Sequence, residues 1–449
     1  MISSQFPGHA ARTAMHVNPA TRTRVSTSGR LFMAVMLIVI YEGAIRKWVA
    51  DSSTLPLILL RDGLAAYAVL RAFWLGHFRR ERLATQVAVM WSFCVIGWGL
   101  LQLMLGESTF PIYLIGLRFW LLYLWFAIAA VAGMNERDYI VSLRVLLYSL
   151  VLMAPLAVIQ QQSPLDSPFN KTLDDDPSNV FTVVAGVARA TATFSFTAGF
   201  TTFLALCAPF ALGVLEARKR KPSHQLMALV IFGSLIICVL VSGARSAFVF
   251  IGGLLCIYLA GNLIFSPVKR KGWAIFAAVL TICVVLALGF VFQDALMDTQ
   301  ERFKVASEHE DFMGRVLTIL LGEGGTVDRV TWLGAGIGIG SNLAQYVRSG
   351  STAYFVFGET EAGRTLIEAG LLGGVFVLLK LGVAVTGLLA SLRRARQTRA
   401  IYPVVVWITL VLAMQTWQTT GQLSANGLFA LMFALGMLSL RYPVVRLFN

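Results

Sequence analysis

The sequence predicts an all-α polytopic membrane protein with about twelve transmembrane helices and one long external loop. Three observations predict it. Apolar residues make up 57% of the 449-residue chain and charged residues only 13%, against about 25% charged in ordinary soluble proteins. The apolar residues fall in runs of roughly 20, enough helix to cross a hydrocarbon core. Lys and Arg are divided unevenly between alternate connections, the mark of an oriented membrane protein.

In chain order, residues 1–30 form a polar basic tail with Arg12, Arg22, Arg24 and Arg30 and no secretory signal pattern. Nine spans follow within 31–292, at 31–49, 55–75, 84–105, 111–133, 139–161, 199–215, 225–242, 247–265 and 273–292. Residues 293–364 are the long loop. Three more spans, at 365–390, 402–420 and 423–440, fill 365–440, and 441–449 is a second tail.

The net charge of +14 does not point to nucleic acid, because the basic clusters sit between apolar segments. One set of connections holds the four tail arginines, Arg79, Arg80, Arg82, Arg137, Arg218–Lys221, Lys269–Lys271, Arg393, Arg394, Arg396, Arg399, Arg441 and Arg446. These are 21 cations; the opposite set, long loop aside, has five: Arg46, Lys47, Lys171, Arg189 and Arg245. The asymmetry predicts both termini in the cytoplasm and puts 162–198 and 293–364 outside. The five cysteines all lie inside apolar stretches, without disulfide or zinc spacing, and read as small core residues.

Chemistry-bearing residues concentrate in the long loop. It carries Glu301, Arg302, His309, Arg315, Asp328, Arg329, Glu359, Glu361 and Arg364, among others, and long loops are usually functional. Its run Gly334, Gly336, Gly338, Gly340 lacks the strand–turn–helix context of a nucleotide site and reads as a turn or a close backbone approach. Charges inside spans need a reason, since each costs roughly 2.5–3.5 kcal/mol at a helix centre. Arg46, Lys47 and Arg61 either snorkel to the interface or face a polar interior. Arg118, about two turns inside the fourth span, is expected to face a polar interior, in the form of an outward-opening cavity. Lys380 either pairs with a carboxylate or snorkels. Three external stretches combine an arginine or an acid with small residues: Val187–Phe200, Ser242–Ser246 and Gly358–Gly370. Small residues beside an arginine let phosphate oxygens reach both guanidinium and backbone N–H groups.

At these stretches the chain resembles the O-antigen ligase and O-antigen polymerase superfamily of bacterial inner-membrane proteins. An arginine before a T-G-T-F-like run is matched by Arg189, Thr191, Thr193 and Phe194. A serine–small–arginine turn between the next two spans is matched by Ser242, Gly243, Arg245 and Ser246. A G-x-G-x-G run followed by an E-x-G-L-x-G span entry is matched by Gly334–Gly340 and by Glu368, Gly370, Leu371, Leu372 and Gly373. Glu301–Phe303 and Arg315 also resemble family loop positions, and the YEGAIRKW start resembles exopolysaccharide-type members. The likeness covers about residues 180–380. The ligases carry a His-Asn pair upstream of that glutamate; here Glu359, Thr360 and Glu361 stand in its place. This departure favours a polymerase-type or otherwise divergent member over a ligase.

The resemblance implies a GT-C-like fold and an inverting, metal-independent glycosyltransferase without a cofactor. Its donor would be a polyprenyl-pyrophosphate-linked glycan at the outer face of the inner membrane, with the lipid bilayer and other polysaccharide-assembly proteins as partners. It implies pyrophosphate contacts from Arg189, Arg245, Arg315, Arg364 and Arg118, since fixed guanidinium groups stabilise growing leaving-group charge. The catalytic carboxylates would be Glu359 and Glu361, either able to serve as the acceptor base, with Glu359 preferred and Glu361 read as the more exposed. A membrane transporter and a non-catalytic component of a polysaccharide machine are the alternatives.

The cation asymmetry generates a direct test. Reporter fusions at Asp175 and Gly325 are expected to be active with periplasmic reporters alone; cytoplasmic activity at either position would overturn the orientation.

Overall fold

The computed structural model describes residues 24–50, 53–171, 188–216, 221–265, 329–349, 360–443 and 447, with seven helical positions between 275 and 290. Among the described residues the protein is helical, with no β-strand. The helices are α1 (Thr27–Trp48), α2 (Thr54–Trp74), α3 (Arg82–Met104), α4 (Phe110–Gly133) and α5 (Glu136–Gln162). They continue with α6 (Thr197–Glu216), α7 (Pro222–Val241), α8 (Arg245–Phe265), the short α9 (Asn342–Ser349), α10 (Glu361–Thr398), α11 (Tyr402–Thr416) and α12 (Leu423–Arg441).

Nine of the described helices are long and apolar enough to cross a membrane. The other two expected spans that fall on described helices differ for plain reasons. α2 has the length but carries Arg61, Asp62 and Arg71, and α11 has 15 residues. The expected span 273–292 lies largely outside the described residues.

Contacts between helix ends sort the connections into two groups. At one end, Asp138 accepts hydrogen bonds from the Asn135 N–H at the start of α5 (2.9 Å) and from the Ser26 N–H and hydroxyl before α1 (2.8 and 2.6 Å). One carboxylate thus caps two helices. There too, Glu216 at the end of α6 accepts from the N–H groups of Ile401 and Tyr402 at the start of α11, both at 3.0 Å. Arg441 pairs with Glu81 and donates to the Val131 carbonyl at 3.0 Å. This is the capped end. The opposite end, here the loop end, gathers 162–171, 188–197, 241–245, 331–341 and 416–423.

α6 is enclosed, with 78% of its apolar window buried, whereas α8 and α10 bury 22%. The main core joins α1, α4, α5, α6, α7, α11 and α12. A second, aromatic core joins α3, α4 and α10 through Trp91, Trp120 and Phe376. Exposed Leu371, Val375, Leu378, Val385 and Leu389 give α10 an apolar outer face, as a lipid-facing helix requires.

α10 is not one rod. Gly370 adopts φ 51°, ψ −122°, outside any helical region. Glu361 and Lys380 lie nineteen positions apart, about 28 Å along a straight helix at 1.5 Å per residue. Yet Glu361 Oε1 and Lys380 Nζ are 3.9 Å apart, and a Cβ on Gly373 would lie 2.3 Å from the Thr365 carbonyl oxygen. Residues 361–369 therefore double back on the arm that begins at Leu371. The sequence boundary between a loop ending at 364 and a span starting at 365 is corrected by this. The helix starts at Glu361, where Thr360 caps it by accepting from the Gly363 N–H at 3.2 Å; its first nine residues are a separate arm.

Only glycine tolerates the Gly370 backbone, and a Cβ there would meet the Trp332 carbonyl oxygen at 2.3 Å. Strain of this kind costs about 1–3 kcal/mol, and the carbonyl must also move. Gly370→Ala is expected to lower the thermal midpoint by several degrees. Gly374→Ala, whose Cβ meets nothing within 4 Å, is expected to leave it unchanged. Equal midpoints for the two variants would refute the reversal.

Candidate functional site

The break at Gly370 exposes backbone groups that a membrane interior cannot satisfy, and the glycine-rich run satisfies them. The Ala335 and Gly336 N–H groups donate to the carbonyls of Ile367 (2.8 Å) and Glu368 (3.1 Å), and the Leu371 N–H donates to the Trp332 carbonyl (2.9 Å). The Glu368 carboxylate accepts from the N–H groups of Gly338 (3.1 Å) and Gly340 (2.9 Å). Gln102, fully buried in α3, donates to the carbonyls of Leu333 (2.7 Å) and Glu368 (2.9 Å) and accepts from the Ile337 N–H (2.9 Å). The loop lies tight against α4, where Gly338 meets Gly116. The expected close backbone approach is what the run provides.

On the same arm, Glu361 and Arg364 are buried, the latter completely. Glu361 accepts from the Thr419 hydroxyl and from the N–H and hydroxyl of Thr420 (3.4 and 3.3 Å) in the turn between α11 and α12. Lys380 completes its surroundings and also lies 4.8 Å over the Phe376 ring. Of the two readings for Lys380, pairing with a carboxylate is therefore the observed one. The expectation that Glu361 is exposed is corrected: it is 1% exposed, because the reversal folds its arm into the bundle. Arg364 runs against Gly421 so closely that a Cβ there would sit 1.2 Å from its Nη1.

A second charge cluster joins α1, α2 and α4. Arg61, with no exposed surface, donates through Nη1 to Glu42 (2.7 Å), and its Nε lies 3.5 Å from Asp62. Arg118 grips Asp62 through Nε (2.6 Å) and Nη2 (3.0 Å), and the Tyr123 hydroxyl donates to Asp62 at 2.8 Å. A π-helical turn over Arg118–Leu122 interrupts α4 at this point, a deformation common at functional sites. Arg118 thus faces a polar interior as expected, with two of its nitrogens committed to Asp62. Snorkelling is excluded for Arg61 by this pairing. It is excluded for Lys47 too, which is 1% exposed and donates to the Thr191 hydroxyl (2.7 Å) and the Ala192 carbonyl (3.2 Å).

Lys47 ties the stretch 188–196 to α1, where Thr193 donates to the Ile40 carbonyl at 2.7 Å. Gln160 accepts from the N–H groups of Thr191 (3.1 Å) and Ala192 (2.7 Å). Arg189, half-buried between buried Ala188 and Ala190, enters this anchored stretch. Arg245, also half-buried, opens α8 after a tight turn in which Gly243 has φ 58°. Asn426 links the two charge clusters by donating to the carbonyls of Phe119 (3.1 Å) and Thr419 (2.8 Å).

Arg118, Arg189, Arg245, Glu361 and Arg364 thus all lie toward the loop end. Glu359, Arg315, His309 and Glu301–Phe303 lie outside the described residues. The sequence reading did not put Glu42, Asp62, Gln102, Glu368, Thr419 or Thr420 at a site. Gln102 is a polar residue inside an apolar span, and Thr419–Thr420–Gly421 is a polar turn between two spans; both were available signals. No protein-family model matches the chain, and no curated protein matches it.

The Glu361–Lys380 contact makes a separable prediction. Removing one partner of a buried ion pair costs about 3–5 kcal/mol, whereas removing both is often nearly neutral. Lys380→Met is expected to lower the thermal midpoint clearly, and adding Glu361→Gln to recover most of the loss. Additive losses in the double variant would show that the pair does not hold the reversed arm.

Proposed function

We propose that the chain is a polymerase-type glycosyltransferase that joins polyprenyl-pyrophosphate-linked oligosaccharide units at the outer face of the bacterial inner membrane. The observation that carries this reading is the gathering of Arg189, Arg245 and Arg364 toward one end of the helix bundle, in the three stretches that resemble the O-antigen superfamily. In this reading the loop end faces the periplasm, both termini are cytoplasmic, and the full complement is twelve spans. Phe265 ends α8 toward the capped end and Leu333 lies at the loop end, which supports a further crossing between them.

The chemistry is a single inverting displacement. The acceptor hydroxyl oxygen bonds to the anomeric carbon as the bond to the pyrophosphate oxygen breaks. Arg189 and Arg245, with Arg315 and Arg364, hold the leaving pyrophosphate as its charge grows. The acceptor proton passes to Glu359, two residues before α10. Glu361 is assigned to holding the reversed arm, because Lys380, Thr419 and Thr420 already surround its carboxylate. No metal or cofactor enters the scheme.

One observation favours the transporter reading: α10 is broken within the bundle beside buried charges, and broken helices carry the substrate sites of many transporters. Polymer chemistry separates the two. Arg189→Lys and Arg245→Lys keep the charge but lose the two-pronged guanidinium contact, and Glu359→Gln keeps shape without a basic oxygen. Each is expected to lower polymer yield at least tenfold at unchanged protein level, leaving single units on the lipid carrier. Full polymer synthesis by both arginine variants would overturn the proposal. Accumulation of the lipid-linked units at the inner face alone would favour transport.

A further inference from the structure

The stretch that carries Arg189 brings a strained residue and a buried charge together at one contact. The Phe194 N–H donates to the Thr191 carbonyl at 2.9 Å, closing a turn over residues 191–194. Ala192, its first central residue, has φ 45°, and Thr193, its second, does not share the positive φ. That is the pattern of a type II′ turn, where glycine is the usual first central residue because a Cβ is strained at positive φ. Among the described residues other than glycine, only Ala192 and Arg399 have positive φ. Arg399 sits at the end of α10, where the left-handed form is common; Ala192 has no such excuse.

Strained backbone persists only where its surroundings over-determine it, and here two helices do so. Gln160 on α5 accepts from the Ala192 N–H at 2.7 Å and donates to its carbonyl at 3.4 Å. Lys47 on α1 donates to the same carbonyl at 3.2 Å and to the Thr191 hydroxyl at 2.7 Å. The turn is seated on one face of α1, formed by Ile40, Gly43 and Lys47. Thr193 donates to the Ile40 carbonyl, and a Cβ on Gly43 would lie 2.5 Å from the Thr193 carbonyl oxygen. Lys47 itself is poorly compensated. Its partners are two neutral oxygens and the Trp48 ring at 4.8 Å, and among the described residues it forms no ion pair. A buried ammonium without a counter-charge and an alanine at positive φ are both unfavourable for stability, and the chain has placed them against each other.

We infer that Lys47 is a positioning residue for Arg189. It holds the turn in its strained form and so fixes the backbone at Arg189, which lies three residues before Ala192 and between the fully buried Ala188 and Ala190. The role of Arg189 rests on the pyrophosphate reading above; the clamp on Ala192 does not. In this assignment Lys47 acts through the turn, so its effect depends on the residue at 192. With glycine there, positive φ carries no strain, and the turn keeps its shape with less help from the ammonium. A mere anchor behaves in the opposite way, because a glycine loosens the segment and deepens the loss.

The test combines Lys47→Met, Ala192→Gly and their double variant in the full-length protein, with Arg189→Lys alongside. Polymer yield at matched protein level and the thermal midpoint of the purified protein are the two readouts. Lys47→Met is expected to lower polymer yield about tenfold or more, as misplacement of a substrate-holding group does. Ala192→Gly is expected to match the parent, and the double variant to recover most of the loss. The midpoint is expected to fall less on Lys47→Met when residue 192 is glycine than when it is alanine. If Lys47→Met does not accumulate, Lys47→Gln, which keeps one donor at the turn, is put through the same comparison. Full polymer synthesis by the Lys47 variant where Arg189→Lys is impaired overturns the inference and leaves the pyrophosphate reading standing. A double variant as impaired as Lys47→Met, or more so, overturns it too. Full synthesis by Arg189→Lys counts against the pyrophosphate reading instead, and the midpoints then decide the clamp: a Lys47→Met loss undiminished by Ala192→Gly overturns it.

Discussion

The structure depends on one constraint: a helix that reverses inside a membrane must have its broken backbone satisfied by protein. Each N–H or C=O left unpaired in hydrocarbon costs several kcal/mol. At Gly370 the carbonyls of Ile367 and Glu368 and the N–H of Leu371 lose their helical partners, and residues 332–336 replace them one for one. The Glu368 carboxylate then fixes the far side of the same run through Gly338 and Gly340. The glycine run is a backbone splint whose lack of side chains lets it reach the break. Gln102 supports the splint from α3, since its amide both donates to the run and accepts from it.

Charge follows from the same geometry. The reversal carries Glu361 into the bundle, where a buried carboxylate needs hydrogen-bonding and ionic partners. Lys380 and the Thr419–Thr420 turn supply them, so the reversed arm is held at both tips, by backbone at Gly370 and by charge at Glu361. The cluster on α1, α2 and α4 follows the same rule with different parts: Asp62 neutralises Arg118 and Glu42 neutralises Arg61. Asn426 connects the carbonyls behind both clusters, so neither can shift without disturbing the start of α12.

Much of this architecture was legible in the sequence, and what was missed has a physical reason. Apolar runs of spanning length located α1, α3–α8 and α12 closely, because hydrocarbon thickness sets helix length directly. The turn at Ser242–Ser246 and the small-residue approach to α6 were equally plain. The reversal was not, because the stretch from Glu361 through Gly370 into Leu371 reads as continuous helix entry. A single φ at Gly370, defined by a partner segment some thirty residues earlier, decides otherwise. The burial of Glu361 follows from that reversal and was unreadable for the same reason. Asp62 and Arg118 are 56 positions apart, and periodicity reports neighbours on one helix, never partners on another.

The distribution of buried charge argues for function over stability. Buried ion pairs are often matched or bettered by well-packed apolar residues of similar volume, so a fold selected for stability alone has little use for so many acids and bases inside its helices. At the capped end the acids Asp138 and Glu216 serve helix starts, and their N–H partners account for them. At the loop end Glu42, Arg61, Asp62, Arg118, Glu361, Arg364, Glu368 and Lys380 exceed any capping need. They are held by three independent elements: the π-helical turn in α4, the reversal in α10 and the turn between α11 and α12. Ionisable groups inside a membrane mark functional paths by default. Here their asymmetry adds a direction, toward the end where the arginines of the loop-end stretches also lie.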